Sequence, residues 1–143
     1  MKKFIGLMLL VLMTSQFNMN IFASKLVNND LAFAPEEKSV EVYYFHYSRR
    51  CATCEAVENE TKNAIEENFL DLMKDGRVTF MLVNIEEEAN RTLVDEFEIG
   101  SQTLMFACGD KQVDLTNDAF MNARTKPDKY KKKVKKTIEE LLK

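Results

Sequence analysis

Cysteine is scarce in this chain: three occur in 143 residues, at positions 51, 54 and 108. That count excludes a small domain built on a disulfide framework, which carries many cysteines around little core. Histidine occurs once, as His46, and no second Cys pair accompanies Cys51 and Cys54, so a complete zinc site lacks an obvious set of donors. An excess of positive charge is also missing. The formal net charge is −3, and general affinity for nucleic acid is not expected. Low-complexity tracts and internal repeats are absent. With 30% charged and 45% hydrophobic residues, the composition speaks against disorder and for a real core. At this length one domain is the natural expectation.

The first residues stand apart from that domain. Lys2 and Lys3 precede an apolar run at residues 4–13, and Ile21-Phe22-Ala23 supplies a small-residue end. This is the layout of a secretory signal at residues 1–23, with cleavage expected after Ala23. The run is short of the roughly 20 residues that span a bilayer; an uncleaved N-terminal membrane anchor is the alternative. The expected location is therefore periplasmic or extracellular. Residues 24–38 read as a flexible, polar lead-in, and residues 39–143 as the folded domain.

Within that domain, residues 39–47 predict a strand, because Val40, Val42, Tyr43, Tyr44, Phe45 and Tyr47 favour extended backbone. The run is apolar on both faces, as a covered central strand requires. Residues 51–74 predict a long helix with Val57, Thr61, Ile65 and Phe69 on one stripe, stopped at Asp75-Gly76. Residues 77–85 predict a second strand and residues 86–97 a second helix. Two short strands, 103–108 and 111–115, flank Gly109-Asp110 as a hairpin. Residues 116–125 look irregular, with room for one helical turn. Pro127 opens a last helix with Tyr130, Val134, Ile138 and Leu141 buried. The eight lysines and three acids of residues 126–143 fit a solvated helix face or attraction to an anionic partner. The expected order is β-α-β-α-β-β-α, a four-stranded mixed sheet flanked by helices. In such a sheet the first strand-to-helix turn lies at a crevice beyond the strand ends. Cys51 and Cys54 occupy that turn, after Arg49 and Arg50.

This element order, with Cys51-Ala52-Thr53-Cys54 at the strand-to-helix junction, resembles the thioredoxin-like superfamily over residues 39–143. Together with Leu115-Thr116-Asn117 and Ala119-Phe120, it also looks like a group of small exported proteins sometimes labelled nitrophenyl compound nitroreductase subunits. The departures are specific. Arg50 stands before Cys51 where thioredoxins carry tryptophan, and Ala52-Thr53 replaces Gly-Pro. Gln102, within Ser101-Gln102-Thr103, stands where the superfamily places a cis-proline. A cis bond before a non-proline residue costs about 2.5–4 kcal/mol, so a trans Ser101–Gln102 bond is expected. The acid that thioredoxin buries beneath its Cys pair has no match; Phe45 and His46 fill that part of the strand.

The resemblance implies an exported thiol–disulfide oxidoreductase whose only redox group is the Cys51–Cys54 pair, with no further cofactor. Cys51 would attack as thiolate, favoured by the helix N-terminus and by Arg49 and Arg50, and Cys54 would resolve the mixed disulfide. The expected substrate is a disulfide-bearing protein or a small sulfur compound, with a membrane redox partner to recycle the pair. Two other uses of the pair stay open: a permanent structural disulfide, and a non-catalytic accessory module in which Cys51 and Cys54 bind metal. His46 fits a proton shuttle for Cys54 or an ordinary strand histidine bonded to backbone. Ser101, Gln102 and Thr103 are candidates to meet substrate across the crevice. Asn117 and Phe120 are candidates for a substrate-facing lip, with core packing as the other role of Phe120. Cys108 reads as a buried, inert thiol, with an exchange partner or an intermolecular disulfide as its other role.

Overall fold

The computed structural model describes residues 37–143. The expected signal at residues 1–23 and most of the lead-in lie outside the described residues. The elements are β1 (Val40–His46), α1 (Ala52–Lys74), β2 (Val78–Asn84), a 3-10 turn (Glu88–Asn90), α2 (Arg91–Glu96), β3 (Thr103–Cys108), β4 (Lys111–Asp114), α3 (Thr116–Asn122) and α4 (Pro127–Leu141). They form one four-stranded sheet in the order β2-β1-β3-β4. Strand β1 pairs parallel with β2, from Val40↔Val78 to His46↔Asn84. It pairs antiparallel with β3, from Glu41↔Ala107 to Phe45↔Thr103. Strand β4 completes the antiparallel hairpin. This α/β architecture is the one expected of a thioredoxin-like fold.

Alternation along β1 divides the core in two. Val40, Val42 and Tyr44 point to the face covered by α1, α3 and α4, where they meet Val57, Ile65, Phe106, Tyr130, Val134 and Ile138. Tyr43 and Phe45 point to the other face, against Val83, Val94 and Met105, with Phe97 beside them. Both faces are covered, and the near-continuous apolar run of β1 follows from that. All four stripe residues expected for the last helix, Tyr130, Val134, Ile138 and Leu141, are buried. Gly76 takes φ 73 at the end of α1 and Gly109 takes φ 54 in the hairpin turn, conformations in which a side chain would be strained.

Three expectations need correction, and one strand is more exposed than its composition suggests. Cys51 is the N-cap of α1 rather than its first residue, and its sulfur accepts from the Cys54 amide. Residues 86–97 are not one helix. The acidic start winds as a 3-10 turn, and only Arg91–Glu96 is α-helical. Strand β2 is an edge strand, which leaves Met81 and Leu82 exposed despite its apolar sequence. Residues 116–122 form a regular helix, α3, so the order gains one element. Its start is fixed by Asp114, whose Oδ1 accepts from the Thr116 amide at 2.7 Å, and by Thr116 Oγ1, which accepts from the Leu104 amide at 2.9 Å.

Helix α2 ends on a strained residue. Glu98 has φ 52, the one non-glycine residue in the left-handed region among the described residues. It closes the helix because the Ile99 amide reaches back to the Val94 carbonyl at 2.9 Å. A side chain there costs roughly 1–2 kcal/mol, and glycine returns part of that gain as unfolded-state entropy. Glu98→Gly is therefore expected to raise stability by about 0.5–1 kcal/mol, seen as a higher urea midpoint at unchanged slope.

Candidate redox site

Cys51 and Cys54 are joined as a disulfide, with Cα atoms 5.0 Å apart. Helix geometry brings them together: the N-cap and the third residue of the first turn face the same way. The Cys54 amide donates to Cys51 Sγ at 3.2 Å. An unpaired amide at a helix start carries partial positive charge, so this contact favours negative charge on Cys51 sulfur when the pair is reduced. The two sulfurs differ in access. Cys51 is exposed, whereas Cys54 is 2% exposed and belongs to the core.

The loop that carries the pair is braced from below. The Ser48 amide donates to Glu86 Oε2 at 2.7 Å, and Asn84 Nδ2 donates to Ser48 Oγ at 2.9 Å. Asn84 Nδ2 also reaches Glu87, while its carbonyl accepts from Asn90 Nδ2. The Ser48 contacts hold the Glu86 carboxyl below the usual carboxylate range. Residues 84–90 therefore brace the loop that leads into the Cys pair.

Arg49 is exposed, but Arg50 turns inward. Its guanidinium pairs with Glu58 and lies over the Tyr44 ring, 5.5 Å from the centroid. Arg50 Nε is buried and has no hydrogen-bond partner among the described residues. Tyr44 is fully buried, and its hydroxyl donates to Gln102 Oε1 at 3.5 Å, a long bond. The loop before β3 thus faces the Cys loop from the same end of the sheet. The register Phe45↔Thr103 places it there. No cis peptide bond occurs among the described residues, so Ser101–Gln102 is trans. Thr103 Oγ1 turns back to the Ser101 carbonyl at 3.1 Å, and Ser101 is exposed.

The remaining candidates are placed as follows. His46 Nδ1 bonds the neighbouring Tyr47 carbonyl at 2.9 Å, and its ring lies 5.9 Å from that of Tyr44. Asn117 is exposed on α3, whereas Phe120 packs against the core beneath that helix. Cys108 is partly buried, its thiol 3.5 Å from the Leu141 carbonyl. It ends β3 beside Val40, at the opposite end of the sheet from the Cys pair. The length of β3 alone puts roughly 15–20 Å between them. Among the described residues no group of three or more His, Cys, Asp or Glu side chains is gathered to hold a metal ion.

Glu58 and Tyr44 escaped the sequence reading, although each carries a signal. Glu58 is one turn past Cys54, next to the apolar stripe of Val57 and Thr61. Tyr44 shares its face with Val40 and Val42. Burial pushes the Tyr44 phenol up to about 12, with Arg50 pulling it down and Glu58 raising it. Burial, helped by a hydrogen bond to Glu41, pushes Tyr43 up to about 12 as well. Tyr130 shifts the same way, chiefly through burial. A phenol whose folded value lies above its unfolded value of about 10 contributes full stability below that value and loses it as pH rises through the folded value. Stability is therefore expected to fall between pH 10 and about 12, by at most about 1.4 kcal/mol per pH unit for each tyrosine. Phenolate absorbance and urea midpoints followed together over that range test this.

A scan against protein-family models and a search of curated proteins return no match to this chain.

Proposed function

We propose that this protein is an exported, thioredoxin-like thiol–disulfide oxidoreductase. The observation that supports it best is the asymmetry of the Cys51–Cys54 pair: Cys51 is an exposed residue whose sulfur receives a helix-start amide, and Cys54 is buried. A structural staple gains nothing from an exposed sulfur at a helix N-cap; an exchange reaction needs one. Cys51 thiolate attacks a substrate disulfide, one half of which leaves as a thiolate while the other stays bonded to Cys51. Cys54 then loses its proton and attacks Cys51 sulfur, which reforms the internal disulfide and releases the second half. The Cys pair loses two electrons to the substrate; one proton comes from Cys54 and the second from solvent. Run backwards, the same steps oxidise a dithiol.

The substrate on this reading is a disulfide-bearing protein or a small sulfur compound, with a membrane redox partner resetting the pair. The exported setting rests on the N-terminal sequence pattern alone. Among the described residues no helix is long and apolar enough to cross a membrane. Trapping tests the proposal. Cys54→Ser is expected to accumulate a mixed disulfide through Cys51, detected by non-reducing gel and mass spectrometry. A variant that forms no adduct with any thiol or protein partner would refute it.

A further inference from the structure

The buried edge of the Arg50 guanidinium is unexplained by the oxidised site. Arg50 carries a full charge, donates to Glu58, and covers Tyr44, yet its Nε–H is buried and unpaired among the described residues. A buried charged donor without an acceptor is costly, and native structures keep few. The residue that follows Arg50 is Cys51. In the disulfide its sulfur is neutral and already accepts the Cys54 amide. On reduction that sulfur becomes the anion nearest to Arg50 in sequence. A thiolate one residue away in sequence would offer that donor an acceptor.

Glu58 stands on the other side of this exchange. It lies on α1 one turn beyond Cys54, half-buried, with its carboxylate on Arg50. A Cys51 thiolate would compete with it for the same guanidinium. Other charges near the loop are placed differently: Arg49 and Glu55 are exposed, and Glu86 is engaged by Ser48. Tyr44 remains a neutral phenol under Arg50, and His46 is turned to the Tyr47 carbonyl.

We infer that Glu58 is a positioning residue that sets the redox poise of the Cys pair by holding Arg50 away from Cys51 in the oxidised protein. This rests on the oxidoreductase reading and adds to it a named control of the equilibrium. The balance of the step is simple. Reduction adds two electrons and breaks the Cys51–Cys54 bond; Cys54 takes a proton, and Cys51 stays a thiolate that draws Arg50 from Glu58. Removing the Glu58 charge frees Arg50 for the thiolate, stabilises the reduced form and makes the pair more oxidising.

The test is the equilibrium of the full domain with glutathione redox buffers. Glu58→Gln is expected to shift that equilibrium toward the reduced pair about threefold to tenfold; tenfold corresponds to about 30 mV. Glu58→Asp, which keeps the ion pair, is expected to stay near wild type, a rescue that a purely structural role would not give. In an Arg50→Met background the effect of Glu58→Gln is expected to fall to less than half. An unchanged equilibrium in Glu58→Gln overturns the inference, and so does an equal shift with and without Arg50. The wild-type protein separates the two levels. If it never equilibrates with glutathione, the oxidoreductase reading fails; if it equilibrates and Glu58→Gln does not move it, only the role of Glu58 fails.

Discussion

Cys51→Ser is expected to lower the rate of disulfide exchange at least about a thousandfold, to the uncatalysed background, while Cys54→Ser keeps the first attack and stops at the adduct. The difference follows from geometry and acidity. Only a thiolate attacks a disulfide sulfur at a useful rate, and a serine hydroxyl supplies almost no anion at neutral pH. Cys51 is the exposed member of the pair, so it alone can be reached by a substrate sulfur. Cys54 is 2% exposed and is bonded to Cys51. A single-turnover assay with a small aromatic disulfide, read by release of its coloured thiol, measures both. Wild type releases two equivalents, Cys54→Ser one, and Cys51→Ser none above background. One equivalent from Cys51→Ser, released as fast as from Cys54→Ser, would mean that Cys54 attacks, and the assignment of roles would fall. Cys108 is a partly buried free thiol at the far end of β3, so Cys108→Ser is included in every protein compared and only the pair is counted.

Much of this architecture is legible before any coordinates, for identifiable reasons. Strand β1 reads as central because both of its faces are apolar, and both are indeed covered. Strand β2 is nearly as apolar in sequence and is an edge. An apolar run reports the chemistry of its side chains, not the number of neighbouring strands, and Met81 and Leu82 are left in solvent. Helix α3 is hidden by its composition. Thr116, Asn117 and Asp118 are turn-forming residues, and the helix depends on Asp114 and Leu104, which reach Thr116 from β4 and β3. The site divides the same way. The Cys pair is local in sequence and declares itself. The Arg50–Glu58 pair spans eight residues, and the Tyr44–Gln102 contact spans 58. Such contacts exist only once β1, β3 and α1 are in register, and no spacing rule announces them.

That register depends on the buried face shared by β1, β3 and α4, and the largest stability effect is expected there. Phe106 is fully buried, pairs with Val42 across the sheet, and sits in the cluster with Val134 and Ile138. Phe106→Ala removes most of a ring from a closed space that the surrounding strands cannot collapse to fill. Changes of this kind cost about 3–5 kcal/mol, against a total of about 5–15 kcal/mol for an ordinary domain. The urea midpoint is expected to drop accordingly, with the Cys pair kept oxidised in both proteins. Met121→Ala is the matched control. Met121 is 66% exposed on α3, and its truncation is expected to change stability by less than about 0.5 kcal/mol. The contrast tests burial rather than residue type, since both substitutions delete a large apolar side chain. If the two variants unfold at the same midpoint, Phe106 is not packed where β1 and β3 place it. The register that brings Gln102 to Tyr44 would then be wrong as well.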